Sequence, residues 1–413
     1  MTLSAQVKII HVNYCRGHQL VPFGKLLWKD KRIYFEYNNT FLESGLHLSP
    51  FKLPLKAGVI VCEDHVFDGL FGLFNDSLPD GWGRLLLDRK LRTLGLNPDG
   101  ITPLDRLSYT GSRGMGALQY EPEIIDSQEL KFINDLDEIA RECMQVMEYD
   151  DNQFLDDLLI MNGSSAGARP KILITIQPKE KIVSNNNLNE IHNDWIVKFR
   201  SSQDPKDIGS IEYAYNLMAK SAGLAIPEIK LFKSKIGSGH FGVKRFDRVE
   251  SRFIHMHTLS GLLHADHRYP ALDYSAIMKV TMLLTQNQLE VERQFRNAVF
   301  NIFAHNRDDH SKNFSFLMDE DGSWHVSPAY DLTFSSGPGG EHCTSVMGEG
   351  RSPTKSHLLK LATAAGIPEN KTRQIMEEVK SAVMLWPAFA KEANVSAQSL
   401  QSIYKQLTRL HYV

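Results

Sequence analysis

The run His305-Asn306-Arg307-Asp308-Asp309-His310-Ser311-Lys312-Asn313 is the densest cluster of chemically competent side chains in this sequence. Carboxylates, imidazoles, an ammonium and an amide this close together can orient a hydroxyl, move a proton or bind a hard cation. A charged loop between a buried helix and a strand is also what an ordinary solvated surface looks like, so the segment downstream has to decide. Residues 313–318 read as a strand, 319–322 as a turn and 323–329 as a second strand. Folded as a hairpin, Asn313 lies opposite about Pro328 across roughly 5 Å. Asp331 then emerges at the same open end as Asp308 and Asn313. One amide and one carboxylate oxygen donor suit Mg²⁺, which keeps waters and phosphate oxygens in its remaining positions.

A phosphoryl-transfer site also needs a cradle for the donor and a cation. Asn162-Gly-Ser-Ser-Ala-Gly-Ala-Arg-Pro170 is a run of mostly small residues just before an alternating strand at 171–177. Backbone N–H groups in such a run can point at phosphates because no large Cβ groups block the approach; the same run also reads as a flexible connector. Lys198 stands mid-strand between Val197 and Phe199, where an uncompensated ammonium would be costly. Glu212, in the helix that follows, is its candidate counter-ion. Gly237-Ser-Gly239-His-Phe-Gly242-Val243 matches the G-x-G-x-x-G string, but it follows the candidate lysine and its valine comes one place early. It reads as a hairpin turn.

The elements that must position these groups change character along the chain. Residues 1 to about 120 read as strands and turns (7–13, 23–28, 32–37) with one helix after Ser77-Leu78-Pro79-Asp80, capped by Asp80 and ended by Gly95. Two helical patterns follow to about residue 161, with Phe132, Leu136, Ile139, Cys143 and Met147 on one face. Strands at 171–177 and 194–200 flank a polar tract whose Ser184-Asn185-Asn186-Asn187 reads as a hairpin loop. A helix at 210–222 and strands at 228–234 and 242–247 come next. Beyond residue 259 helices dominate, with Val291, Phe295, Ala298, Val299, Ile302 and Phe303 forming one stripe. Strands with one helix, then mostly helices, is the layout of a two-lobed α+β enzyme.

The length of 413 residues suggests roughly two to three domains. With 46 Lys+Arg against 49 Asp+Glu, a protein-wide basic surface for nucleic acid or membrane is excluded. No apolar stretch approaches a membrane span, and the N-terminus lacks the layout of a secretory signal. Cys15, Cys62, Cys143 and Cys343 are scattered, without the pairing of a disulfide scaffold or zinc site, and are expected to be apolar fillers in a cytoplasmic protein.

Taken together, the chain resembles the HipA family of bacterial serine/threonine kinases, the toxin components of toxin–antitoxin pairs. The residues that carry the resemblance are Ser164-Ser-Ala-Gly-Ala-Arg-Pro-Lys171, Trp195-Ile-Val-Lys-Phe199, Val243-Lys-Arg-Phe-Asp-Arg248, Asp308-Asp-His-Ser-Lys-Asn-Phe-Ser315 and Ser327-Pro-Ala-Tyr-Asp331, with Phe74-Asn-Asp-Ser-Leu-Pro-Asp-Gly-Trp-Gly83 matching the family's N-terminal subdomain. The resemblance implies an α+β, two-lobed, protein-kinase-like fold in three parts. These are an N-terminal β-rich subdomain (1–125), a kinase N-lobe (126–250) and a mostly helical C-lobe with the catalytic loop (251–413).

It implies ATP and Mg²⁺ as cofactors. Asp308 would be the catalytic aspartate, Asn313 and Asp331 the metal ligands, and Lys198, paired with Glu212, a phosphate contact. Ala166, Gly167, Ala168, Arg169, Pro170 and Lys171 would cover the phosphates. The backbone around Lys244, Arg245 and Phe246 would meet the adenine, with His310, Lys312 and Tyr330 completing the ATP site. Ser164 or Ser165 would be autophosphorylated, placing nearly two negative charges where ATP phosphates should bind. The implied partners are a protein substrate of the aminoacyl-tRNA synthetase class and a helix-turn-helix antitoxin with its operator DNA, and no membrane. Two departures stand out. Asp309 replaces the usual glycine, adding a carboxylate that could alter metal geometry, and Arg169-Pro170 replaces the more familiar pair before the loop's lysine.

Two other classes are open at this level. A metal-dependent phosphohydrolase would use Asp308, Asp309 and His310 with His264, Asp266 and His267. A catalytically silent co-repressor would use the same fold as a binding platform.

Overall fold

The computed structural model describes residues 6–124, 133–149, 154–163, 167–177, 182–184, 193–270 and 272–409. Phe132, Ser164, Ser165, Ala166 and the expected hairpin loop at 185–187 lie outside the described residues.

The alternating N-terminal segments form β1 (Ile9–Arg16), β2 (Gln19–Lys29) and β3 (Arg32–Tyr37). Asp30 and Lys31 join β2 to β3 with positive φ of 51° and 58°, the pair of left-handed residues that a tight hairpin turn requires. With β4 (Val59–Val61) and β5 (Leu118–Glu121) they make an antiparallel sheet ordered β4-β3-β2-β1-β5. Its inner face carries an aromatic cluster in which the Phe23 ring centroid lies 4.6 Å from Phe41 and 5.4 Å from Phe35.

A second antiparallel sheet is built from β6 (Lys171–Ile176), β7 (Ile182–Ser184), β8 (Asp194–Lys198), β9 (Ile229–Phe232) and β10 (His240–Lys244), ordered β7-β6-β8-β10-β9. The alternation expected at 171–177 is absent from the burial pattern: Lys171 through Thr175 are all buried. β6 is an interior strand between β7 and β8, with helix Leu155–Asn162 packed against it, so the chain's polar positions there face protein. Gly237 and Gly239 lie in the connection between the paired strands β9 and β10, as a hairpin turn.

The third part places strands His255–Thr258, Ser315–Met318 and Trp324–Val326 in a small antiparallel sheet against helices Tyr274–Thr285 and Gln288–Phe303. Phe316 pairs with Val326, one residue off the expected register. Asn313 belongs to a short 3₁₀ turn before the strand rather than to the strand itself. Among the described residues no helix is long and apolar enough to cross a membrane. The four thiols are free; Cys15, Cys62 and Cys143 are buried fillers, whereas Cys343 is only half-buried.

Two hydrophobic cores cut across these parts. One runs from Phe35 and Phe74 through Phe316 to Phe295 and Trp386. The other joins Trp82, Leu86, Leu87 and Leu91 of helix Gly81–Thr93 to Ile172, Ile174, Trp195 and Val197 of the second sheet. The N-terminal segment is therefore bound to both lobes. Asp76 accepts from His257 Nδ1 at 2.6 Å and from the Thr258 N–H and hydroxyl, each at 2.7 Å. Nearby, Gly72 touches helix Leu259–Leu263 so closely that a Cβ would lie 2.0 Å from the Gly261 carbonyl oxygen. After β10, Asp247 is fully buried between Arg245 and Arg248, and it also accepts the Gly116 N–H at 2.8 Å.

Candidate active site

Helix Ile208–Ser221 presents Glu212 from its buried face toward β8, and the mid-strand Lys198 meets it there. The same ammonium bonds Asp331 Oδ1 at 2.6 Å. Burial opposes the charge on Lys198, but Asp331 and Glu212 outweigh it and hold the amine well above its ordinary value. Conversely, Lys198 and Lys171 hold the Asp331 carboxyl far below the carboxylate range despite its burial. Lys171 is the weaker base: burial, with Lys198 adding to it, pulls its amine down to about 8.

Arg169 reinforces this side of the cleft, bonding Asp204 at 3.2 Å and Glu212 at 3.4 Å. The residue that departs from the family's usual pair thus shares the counter-ion of Lys198.

Across from these groups lies the catalytic-loop candidate. Asp308 opens to solvent at the rim. Enough protein surrounds its carboxyl to push it upward, with Asp331 and Asp309 adding to the effect and His310 and Arg169 opposing it. The Asn313 side-chain N–H donates to the Asp308 carbonyl at 2.7 Å, fixing the turn and leaving the amide oxygen as its metal-competent atom. Tyr330 donates to the Lys312 carbonyl, and its ring centroid lies 5.6 Å from that of Phe246. Asn313 thus reaches the Asp308 backbone, and Asp331 lies near enough to Asp308 to act on its carboxyl.

Asp309 does something other than expected. It is 1% exposed and accepts from Tyr274 Oη at 2.8 Å, His342 Nδ1 at 2.9 Å and the Cys343 N–H at 2.8 Å. Its carboxylate is consumed in tying the loop to residues 342–344, so it is not an added metal ligand. The side chain of Arg245 is likewise taken, by Asp247 and the Gly114 carbonyl. The Lys244 and Arg245 N–H groups already donate to the Glu228 and Asp194 carbonyls, each at 2.8 Å.

The phosphohydrolase alternative loses its ligands. His264 Nε2 accepts the Gly72 N–H at 2.9 Å while Nδ1 faces Asp64 at 3.0 Å, so neither nitrogen has a lone pair for a metal. Asp266 is bonded to Arg268 at 2.7 Å. Among the described residues no three or more His, Cys, Asp or Glu side chains form a metal-holding group. The Asn313 amide oxygen and the Asp331 carboxylate, a smaller set, fit Mg²⁺, which takes one or two carboxylates plus phosphate oxygens rather than an all-protein cage.

One participant was missed as such. Asp80, read from sequence only as a helix cap, contacts both sides of the cleft, accepting from Lys312 Nζ at 2.7 Å and from the Gly167 N–H. Its position inside the Phe74–Gly83 motif was the available signal.

A strand lysine locked between a helix glutamate and Asp331, with the Asp308–Asn313 turn near that aspartate, suits a two-lobed kinase-like fold. Family models agree and are more specific. The HipA N-terminal domain matches residues 18–121 and the HipA-like C-terminal domain matches residues 163–386, and the chain belongs to the HipA family. A Sinorhizobium fredii protein provisionally described as a kinase is 29% identical over 151 residues, covering 33% of this chain and 36% of that protein. A second protein with the same provisional description, from Haemophilus influenzae, is 25% identical over 183 residues, covering 41% and 52%. The chain therefore spans about a third to a half of the curated relatives it matches. A solved chain from the Shewanella oneidensis MR-1 toxin–antitoxin complex of HipA, HipB and operator DNA aligns with a TM-score of 0.69. It covers 97% of this chain and 95% of that one at 18% identity, which makes it a likeness of fold.

Proposed function

We propose that this chain is an ATP- and Mg²⁺-dependent protein serine/threonine kinase. The observation that carries the reading is Lys198, held by Glu212 and Asp331 beside the Asp308–Asn313 turn. Phosphoryl transfer needs little covalent help, so positioned charge of this kind is most of what a protein supplies. Lys198, Lys171 and the loop around Gly167 would take ATP phosphates, and the backbone at 244–246 with Phe246 and Tyr330 would border the base. Asn313 and Asp331 would hold Mg²⁺, which neutralises phosphate charge when bound. Asp308 would orient the acceptor hydroxyl and receive its proton.

The family resemblance further supports autophosphorylation at Ser164 or Ser165, a substrate of the aminoacyl-tRNA synthetase class, and a helix-turn-helix antitoxin linking the chain to operator DNA. The test is incubation with Mg·ATP followed by intact mass and transfer to candidate substrates. A gain of one phosphate, lost when both Ser164 and Ser165 are replaced by alanine, is expected. An inert wild-type chain, with no transfer to itself or to any protein of its host lysate, would remove the kinase reading.

Lys171 gives this reading a pH signature. Its amine is charged below about 8 and neutral above, so its attraction for phosphate is lost as pH rises. Mg·ATP affinity, followed by fluorescent-nucleotide titration, should weaken by up to roughly tenfold between pH 7 and 9, the ceiling for losing one proton from a group titrating near 8. In Lys171→Arg that pH dependence should disappear.

A further inference from the structure

Asp80 stands where a helix cap belongs and does not cap. It precedes helix Gly81–Thr93 with extended dihedrals (φ −119°, ψ 177°), yet its carboxylate takes none of that helix's N–H groups. The forgone interaction is worth about 1 kcal/mol. Instead the carboxylate joins two parts of the cleft that are remote in sequence. Oδ1 accepts the Gly167 N–H of the small-residue loop, and Oδ2 accepts Lys312 Nζ of the catalytic loop at 2.7 Å.

The helix's first turn completes the grip. The Trp82 N–H donates to the Gly167 carbonyl at 3.1 Å, and the indole Nε1 donates to the Lys171 carbonyl at 3.2 Å. Both backbone polar groups of Gly167 are thus held from the N-terminal segment. The approach is close enough to demand glycine: a Cβ on Gly81 would lie 2.6 Å from the Gly167 oxygen and 2.7 Å from Ala168 Cα. Burial raises the cost of a charged Asp80, but Lys312 and the loop N–H outweigh it and keep the carboxyl below its ordinary range.

We propose that Asp80 is a positioning residue that acts through Gly167 and Lys312, holding the Gly167–Lys171 end of the small-residue run in register with the catalytic loop. This deepens, and rests on, the kinase reading above. A loop amide and an ammonium that serve one phosphoryl group need a fixed separation, because misplacement by about 1 Å costs on the order of 100-fold in rate. The two groups come from different lobes, and the N-terminal segment supplies the carboxylate that spans them.

The experiment uses full-length Asp80→Asn and Asp80→Ala and has two readouts. Amide hydrogen exchange at Gly167, Ala168, Arg169 and Lys171 should quicken by about tenfold or more in Asp80→Ala, as local opening becomes easier. Exchange in helix Ile208–Ser221 should stay unchanged. In phosphotransfer assays Asp80→Asn keeps an acceptor for Gly167 but loses the negative charge that pairs with Lys312, so the fall in activity, about 10–100-fold, should be in kcat. Asp80→Ala should raise the KM for Mg·ATP as well. Unchanged loop exchange in Asp80→Ala overturns the proposal, as does acceleration spread evenly over the whole chain in both variants. Faster loop exchange with wild-type kcat in Asp80→Asn overturns the role in transfer. An inert wild type would sink the kinase reading instead, while the exchange data would still decide whether Asp80 holds the loop.

Discussion

Asp308→Asn should lower phosphoryl transfer by roughly 10³-fold, within the range a positioned proton acceptor contributes. The replacement is isosteric, and the contacts fixing the turn use the Asp308 backbone carbonyl and the Asp309 side chain rather than the Asp308 carboxylate. Folding stability should therefore change by less than about 0.5 kcal/mol, and the KM for Mg·ATP should move little. Because its surroundings push the Asp308 carboxyl upward, it gains its proton at a higher pH than an ordinary carboxylate. Wild-type activity should fall as pH drops through that raised value, and the residual activity of the variant should lack this limb. Steady-state rates against pH for both proteins decide the matter; a variant within tenfold of wild type would remove Asp308 from the chemistry.

Asp247→Ala should be the most destabilising single change outside the hydrophobic cores, costing about 3–5 kcal/mol because it strands buried charge. The carboxylate meets Arg245 Nε at 2.9 Å, Arg245 Nη2 at 2.7 Å and Arg248 Nη1 at 2.9 Å. Without it, two buried guanidiniums share one pocket. They retain the Gly114 and Gly116 carbonyls, the Asp247 carbonyl, the more distant charge of Asp194, and for Arg248 the face of Phe253, 4.0 Å away. The arginines outweigh burial and keep the Asp247 carboxyl far below its ordinary range. Its contribution is thus complete above the unfolded-state value near 3.9 and lost only as pH falls below it. Urea unfolding at pH 7 checks the magnitude, and a midpoint equal to wild type would contradict it.

Contacts formed within short stretches of chain were legible in the sequence. The hairpin that brings Asp331 back to Asn313 follows from turn residues and strand period alone, and was placed within one residue. Lys198 and Glu212 were paired because a mid-strand ammonium needs a counter-ion and the next helix offered one. What local pattern could not supply was the partner of Lys312, since Asp80 is 232 residues away. Asp247 was equally opaque: its anchors at Gly114 and Gly116 belong to another part of the chain. The alternation of 171–177 is that of an ordinary half-buried strand, yet Lys171 through Thr175 are all buried, because sequence period reports polarity and not what packs above it. Asp309 was misjudged for a related reason. A carboxylate beside a catalytic one suggests chemistry, but the hydrogen-bond donors of residues 342–344 and Tyr274 claim it entirely.

Helix Gly81–Thr93 has a consequence for how the chain is made. Its apolar face, led by Trp82, is completed by β6 and β8, and β8 ends roughly 100 residues after the helix, about 5–20 s of synthesis. Over that interval the helix meets its core in stages: helices Leu136–Glu148 and Leu155–Asn162 emerge first and the two strands last, while the sheet of β1 to β5 is complete once Glu121 has emerged. The first-made segment is thus divided in time. One half closes early, and the other keeps part of its apolar face uncovered until the strands still inside the ribosome emerge.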